Sequence, residues 1–289
     1  MRIPVGSLLV LLGAVLFGTT GTCQALGPPG IQPLVTGALR VVISGPILLL
    51  FAASKGHFSG LRFTSVPIGW LLLAGVGVGA YQICFFKAVM ATGVAVGTIV
   101  TIGSSPVIAG LLGLLFGERL SFNWAVCTLL AITGCALMVV PGTGAGFSAD
   151  PLGIALALGA SSGYSTYLLA ARRVTDRIPA LLTIALILTI AALVTAPNLL
   201  YARWDLWLTP HGISVALFLG LVATAAAYLC LTMGLATTPL ALTATFMLGE
   251  PLVAALLGIF MLGEQVSLMS GLGMGLLLCG LVWMALARR

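Results

Sequence analysis

The chain has 289 residues, of which 60% are hydrophobic and 6% charged, and its formal net charge is +6. Soluble domains carry about 25% charged residues, so a water-soluble globule is excluded. The basic excess does not mark a nucleic-acid binder either, because the twelve Lys and Arg residues are dispersed over the connections with no basic-aromatic patch.

A membrane-crossing helix needs about 20 mainly apolar residues. Stretches of that kind run almost end to end, at 4–25, 33–53, 66–88, 94–115, 122–141, 150–171, 179–200, 211–234, 239–262 and 267–286. They predict an all-α polytopic membrane protein with ten transmembrane helices. They are too long for barrel strands, which would be about ten residues of alternating polarity. The first span follows Arg2 and precedes small residues at Gly21, Thr22 and Cys23, as a secretory signal would. It exceeds the usual signal core of about 7 to 15 residues and more spans follow, so it reads as a retained helix.

In chain order, span one carries Phe17; span two carries Arg40, deep in the apolar run; span three carries Tyr81, Gln82, Phe85 and, about one turn from its end, Lys87. Lys87 can snorkel to the interface. Arg40 needs a carboxylate, of another helix or of a cargo, and a structural pairing is the expectation. Span four holds Thr98, Thr101, Ser104 and Ser105 before Pro106; span six holds Ser161, Ser162, Tyr164 and Tyr167; span eight holds Tyr228; span nine holds Phe246 and Glu250 before Pro251. Pro106 and Pro251 remove backbone donors and free the carbonyls of Ile102 and Met247, so both are hinge candidates. The small-residue pairs Gly75/Gly79, Gly113/Gly117, Gly159/Gly163 and Gly271/Gly275 are read as intramolecular packing faces. The six cysteines lie inside spans with no C-x-x-C and no nearby His, so neither a disulfide nor a metal site nor any cofactor is predicted.

Charge sets the orientation. With the N-terminus cytoplasmic, Arg2, Lys55, Arg62, Arg119, Arg172, Arg173, Arg177, Arg288 and Arg289 fall inside and only Arg203 falls outside, as the positive-inside rule requires. Both termini are expected in the cytoplasm.

Two tracts say nearly the same thing 145 positions apart: Pro106 through Gly117, Glu118 and Ser121, and Pro251 through Gly263, Glu264 and Ser267, with Ala91, Thr92 and Thr98 matching Ala236, Thr237 and Thr243. Five helices separate the copies, and five is odd, so the halves run in opposite directions across the bilayer. Inverted repeats of this kind build many secondary transporters. Residues 1–145 form the first unit and 146–289 the second.

The paired Pro-to-Gly-Glu tracts, the length and the helix count resemble the drug/metabolite transporter superfamily, specifically its ten-helix exporters made of two EamA-type units. The resemblance implies a central cavity lined by helices one, three, four, six, eight and nine. It also implies a bacterial inner-membrane location and a metabolite cargo, for which amino acids, including aromatic ones and methionine, are common. Substrate-binding or cavity candidates are then Tyr81, Gln82, Phe85, Thr101, Ser105, Tyr164, Tyr228, Phe246 and Glu250. Each polar or aromatic one has a plain packing alternative.

Glu250 is the most informative. An ionised side chain near the middle of a span costs roughly 2.5–3.5 kcal/mol on insertion scales. It reads either as a proton site or cargo ligand, or as a structural acid hydrogen-bonded to a neighbouring helix. The expected function is secondary export of small metabolites, amino acids foremost, by alternating access, with protons as the coupling partner if Glu250 titrates. A multidrug exporter and a channel are the alternatives, and oligomeric state is left open. An enzyme is not expected: His57 and His211 lie at connections, and no nucleophile-base or metal constellation exists. The phosphate-binding loop of a primary pump is also missing.

Overall fold

In the computed structural model, which describes residues 4–59, 66–139 and 150–286, every regular element among those residues is helical. Ten helices correspond to the ten expected spans. They are α1 (Val5–Ala25), α2 (Pro33–Ser54), α3 (Ile68–Gly93), α4 (Val96–Leu115), α5 (Phe122–Val139), α6 (Pro151–Thr175), α7 (Ala180–Tyr201), α8 (Pro210–Leu235), α9 (Leu240–Leu262) and α10 (Leu268–Leu286). Nine are long and apolar enough to cross a bilayer, and α5 is a shorter apolar helix. In lipid every backbone polar group must be satisfied within its own segment, which is why such runs can only be helical.

The boundaries depart from expectation where the backbone, not hydropathy, decides. Helix α3 runs on to Gly93, whose φ of 81° and ψ of 163° turn the chain directly into α4. Helix α7 tightens into a 3-10 turn over Ala196–Tyr201 around Pro197, and α8 contains a π-turn over Leu221–Ala226. In the α7–α8 connection Arg203 donates to Asp205 at 2.7 Å, and that hydrogen bond holds the exposed Asp205 carboxyl below its ordinary range.

The packing repeats under exchange of the halves. Helix α1 packs on α8 and α9, and its counterpart α6 packs on α3 and α4; α2 pairs with α7 and α5 with α10, each with its own equivalent. Glycine permits the closest crossings. A Cβ at Gly77 of α3 would lie 2.8 Å from the carbonyl oxygen of Gly163 on α6, and one at Gly273 of α10 would lie 2.6 Å from that of Gly134 on α5. Of the small-residue pairs, Gly75 and Gly79 meet Ile190 and Val194 of α7, whereas Gly271 and Gly275 face open space. The packing expectation for that last pair is therefore corrected: the intramolecular contact is carried by Gly273, halfway between them.

The duplicated Gly-Glu tract is a helix stop. Gly117 and Gly263 adopt φ of 88° and 70°, the left-handed conformation that ends helices. The chain then folds back, with Glu118 N donating to Gly113 O at 2.8 Å and Glu264 N to Gly258 O at 3.1 Å. Each glutamate side chain lies over the glycine it returns to, where any Cβ would strike the carboxylate.

The first stop also joins the halves. The Glu118 carboxylate accepts from Arg172 of α6 at 2.9 Å and from the backbone amides of Leu240 and Ala241 at 2.8 and 3.4 Å, the open N-terminus of α9. Arg172 also donates to Thr238 O at 3.0 Å. Among the described residues Glu264 makes no equivalent bond to α4. The ends of α4, α6 and α8 thus share one face of the bundle, as the basic-residue tally requires for Arg119, Arg172, Arg173 and Arg177. Arg2, Arg62, Arg288 and Arg289 lie outside the described residues, as does the 145/146 unit boundary.

Candidate functional site

The two proline tracts behave differently. Helix α4 stays helical through Pro106, and the carbonyl freed at Ile102 accepts the Ser105 hydroxyl at 3.1 Å. Helix α9 is interrupted: one helical piece ends at Phe246, the next starts at Gly249, and Met247 O accepts the Glu250 amide at 3.0 Å. The symmetric break expected from the prolines is therefore present in α9 alone. The interruption falls immediately before Glu250.

Between the halves lies a cavity lined by Tyr81 of α3, Thr101, Ile102 and Ser105 of α4, Tyr164 of α6, and Met247 and Glu250 of α9. Its enclosed space is about 30 Å³, far below the 300–1,000 Å³ typical of ligand sites, so the cavity is nearly closed. Five residues picked from sequence converge there: Tyr81, Thr101, Ser105, Tyr164 and Glu250. Backbone bonds explain why α4 and α6 hold their positions, since Thr101 donates to Ala157 O at 3.2 Å and Ser165 donates to Ser105 O at 3.2 Å.

The other candidates stand behind this wall. Phe85 stacks on Tyr81 with ring centroids 5.8 Å apart, Tyr228 is buried at 1% exposure, and Phe246 is fully buried in the core. Gln82 is buried, with its amide nitrogen unpartnered and its oxygen set against Gly37 of α2. Ser162 faces outward and Lys87 is exposed, as an interfacial anchor would be.

An aromatic chain crosses the bundle beside the cavity. Its centroid separations are 5.6 Å for Tyr81–Tyr164, 6.0 Å for Tyr164–Tyr167, 5.4 Å for Tyr167–Tyr228 and 4.8 Å for Phe17–Tyr228. Edge-on and tilted contacts at these distances are the favoured aromatic geometries. Tyr167 satisfies its hydroxyl on Thr232 at 3.2 Å, but the Tyr164 hydroxyl has no protein partner.

Arg40 corrects an expectation. Among the described residues no carboxylate pairs with it, and its Nε has no hydrogen-bond partner although the residue is only 7% exposed. Its guanidinium instead lies over the Phe17 ring, 5.9 Å from the centroid. Sequence reasoning placed Arg40 in an ion pair on a peripheral helix; hydropathy gives depth but not the direction a side chain faces. Glu250 likewise has no side-chain partner among the described residues. Ile102 and Met247, which complete the wall, were legible only as the residues whose carbonyls the prolines free.

The sequence matches the EamA-like transporter family twice, over residues 4–140 and 151–286. It is 37% identical to the uncharacterized transporter YwfM of Bacillus subtilis over 292 residues, covering 100% of this chain and 96% of that protein. It is 29% identical to the threonine/homoserine exporter RhtA of Escherichia coli over 280 residues, covering 94% of this chain and 88% of that one. A crystal structure at 20% identity superposes with a TM-score of 0.85, covering 99% of this chain and 100% of that one.

Proposed function

The chain belongs to the EamA-like transporter family, and from that premise we propose that it exports small amino acids by alternating access around the central cavity. The observation that carries this reading is the composition of the cavity wall. Helices α3 and α4 of one half and α6 and α9 of the other all contribute, so any relative motion of the halves must open or close it. The role in the name of the Escherichia coli relative, threonine and homoserine export, supports amino acids as the class. We place the protein in the bacterial inner membrane with both termini cytoplasmic, on the basic-residue tally, and take residues 1–145 and 146–289 as the moving units. Glu250 is the candidate proton-coupling residue, and Pro251 with the break before it is the candidate hinge.

The test is uptake of labelled threonine, homoserine, methionine and phenylalanine by proteoliposomes, with and without a pH gradient, for the native chain and Glu250→Gln. Saturable flux competed by related amino acids supports the carrier, and loss of its pH-gradient dependence in Glu250→Gln assigns coupling to that carboxylate. Flux of cationic dyes without amino-acid flux would replace the reading with multidrug export. Unsaturable current would replace it with a channel.

A further inference from the structure

Arg40 and Glu250 are a cation and an anion at membrane depth, and each is without an ion-pair partner among the described residues. Charge is costly there, and two opposite charges that compensate each other only at a distance leave both groups open to direct partners. They form no salt bridge with each other, yet Glu250 lies in the field of Arg40, and both sit on the same cluster of rings. Arg40 rests on Phe17, and Phe17 is in edge contact with Tyr228. The residue after Phe17, Gly18, packs against the Glu250 backbone carbonyl and Val253. Tyr81 and Tyr228 lie within electrostatic range of both charges. The cavity reaches Glu250 and Tyr81; Arg40 and Phe17, which lie against each other, are outside its lining. The Gln82 amide nitrogen and the Tyr164 hydroxyl are buried beside this cluster with their bonding capacity unused.

We propose that this arrangement reads the two ends of a zwitterion when the halves part and the cavity extends past Tyr81 to Arg40, with Arg40 binding the carboxylate of the cargo, Glu250 binding its ammonium, and the rings of Tyr81, Phe17 and Tyr228 packed beside the space between them. This deepens the amino-acid reading above and rests on it. The pair is neutral as a whole, so a net cation meets Arg40 unpaired, a net anion meets Glu250 unpaired, and only a cargo carrying both charges satisfies both. An arginine fork is well matched to a carboxylate because it can donate two parallel hydrogen bonds. The unused Gln82 and Tyr164 groups supply neutral bonds to the same cargo. The neutral partner of Glu250 in the repeat is Ser105, and the position 145 residues after Arg40 is Ala185, so the charges appear once each, as an asymmetric cargo requires.

The test is counterflow of labelled L-threonine in proteoliposomes carrying the full chain, competed by L-threonine, by its carboxamide, which lacks the anionic end, and by N-acetyl-L-threonine, which lacks the cationic end. On the native protein each analogue is expected to compete about tenfold or more weakly, the size of one lost charge-assisted hydrogen-bonding group. Arg40→Gln should raise the KM for threonine about tenfold while leaving competition by the carboxamide unchanged. Glu250→Gln should weaken threonine while leaving the N-acetyl analogue unchanged. Arg40→Lys keeps the cation without the fork and should fall between. If the carboxamide competes as well as threonine on the native protein, or if Arg40→Gln weakens both equally, Arg40 is structural and the proposal fails while amino-acid export stands. If the native chain moves other metabolites but no amino acid, both readings fall together. The analogue series on the native protein decides the matter even where a variant does not fold.

Discussion

Glu118→Gln is the most informative single change outside the cavity. The substitution preserves shape and one acceptor oxygen but removes the charge that Arg172 and the α9 amides share at 2.9, 2.8 and 3.4 Å. The two side chains are 19% and 33% exposed, so the ion pair is worth the upper part of the exposed range, about 1 kcal/mol. A carboxylate at a helix N-terminus adds about 0.3–1 kcal/mol. Together the charge contributes about 1.3–2 kcal/mol, or roughly a 9- to 30-fold bias toward the state in which the α4 stop grips α9. Opening the cavity at that end must break the same bonds, so Glu118→Gln should raise the open population by that factor. The readout is maleimide labelling of a cysteine introduced at Ala241, buried at 2% exposure, in a background free of native cysteines. Labelling should accelerate about tenfold or more, in proportion to the opening equilibrium. Arg172→Gln should produce a comparable effect, and the double variant should show a non-additive coupling of about 0.5 kcal/mol or more. An unchanged labelling rate in both single variants would refute the assignment of this contact as a closure between the halves.

Two paired substitutions test the packing. Gly273→Ala should destabilise the detergent-solubilised protein by about 1–3 kcal/mol, because its Cβ would press on the Gly134 carbonyl. Gly271→Ala, in open space, should be neutral or stabilising by up to about 1 kcal/mol through helix propensity. Thermal denaturation reads both, and equal shifts would show that α5 and α10 do not cross at Gly273. Tyr167→Phe should cost about 1 kcal/mol by leaving its partner Thr232 unbonded. Tyr164→Phe removes a hydroxyl with no protein partner, so it should leave thermal stability within about 0.5 kcal/mol of the native value while raising the KM for cargo. A large stability loss in Tyr164→Phe would remove that hydroxyl from the site.

Much of this architecture was legible in the sequence because lipid imposes one rule. Twenty apolar residues with satisfied backbones must be a helix, and an odd helix count between two copies of a motif must invert the second. Less legible was everything that depends on which way a helix faces. The tract around Gly271/Gly275 has the same spacing as Gly75/Gly79, yet one pair faces open space and the other packs on α7. Apolar residues cover both the inside and the outside of a membrane bundle, so hydropathy has no amphipathic stripe to report. The same ambiguity hid Arg40, whose depth was evident but whose neighbours were not. The prolines misled for a related reason: Pro106 and Pro251 are equivalent in the repeat, but a serine hydroxyl can satisfy the freed carbonyl within α4, whereas α9 breaks.

The repeat therefore makes a nearly two-fold scaffold that keeps Glu118 and Glu264 at its two helix stops and departs from symmetry at the charges inside the bundle and between the halves. Arg40 stands opposite Ala185 in register, Glu250 opposite Ser105, and Arg172 opposite Gly27. Apolar packing survives duplication because two copies of a helix face can bury each other equally well from either direction. Charge does not, since a carboxylate repeated on both sides of the axis would face its own like charge at membrane depth, where repulsion is weakly screened. Keeping Arg40 and Glu250 in one copy only avoids that repulsion inside the bundle. It also makes the two ends of the pathway chemically different: the α4 stop is held by Arg172 and the α9 amides, while the α9 stop has no such partner among the described residues. A carrier with identical ends would rest equally in both states; under the alternating access proposed above, the Glu118 contact predicts a preference for closure at that end.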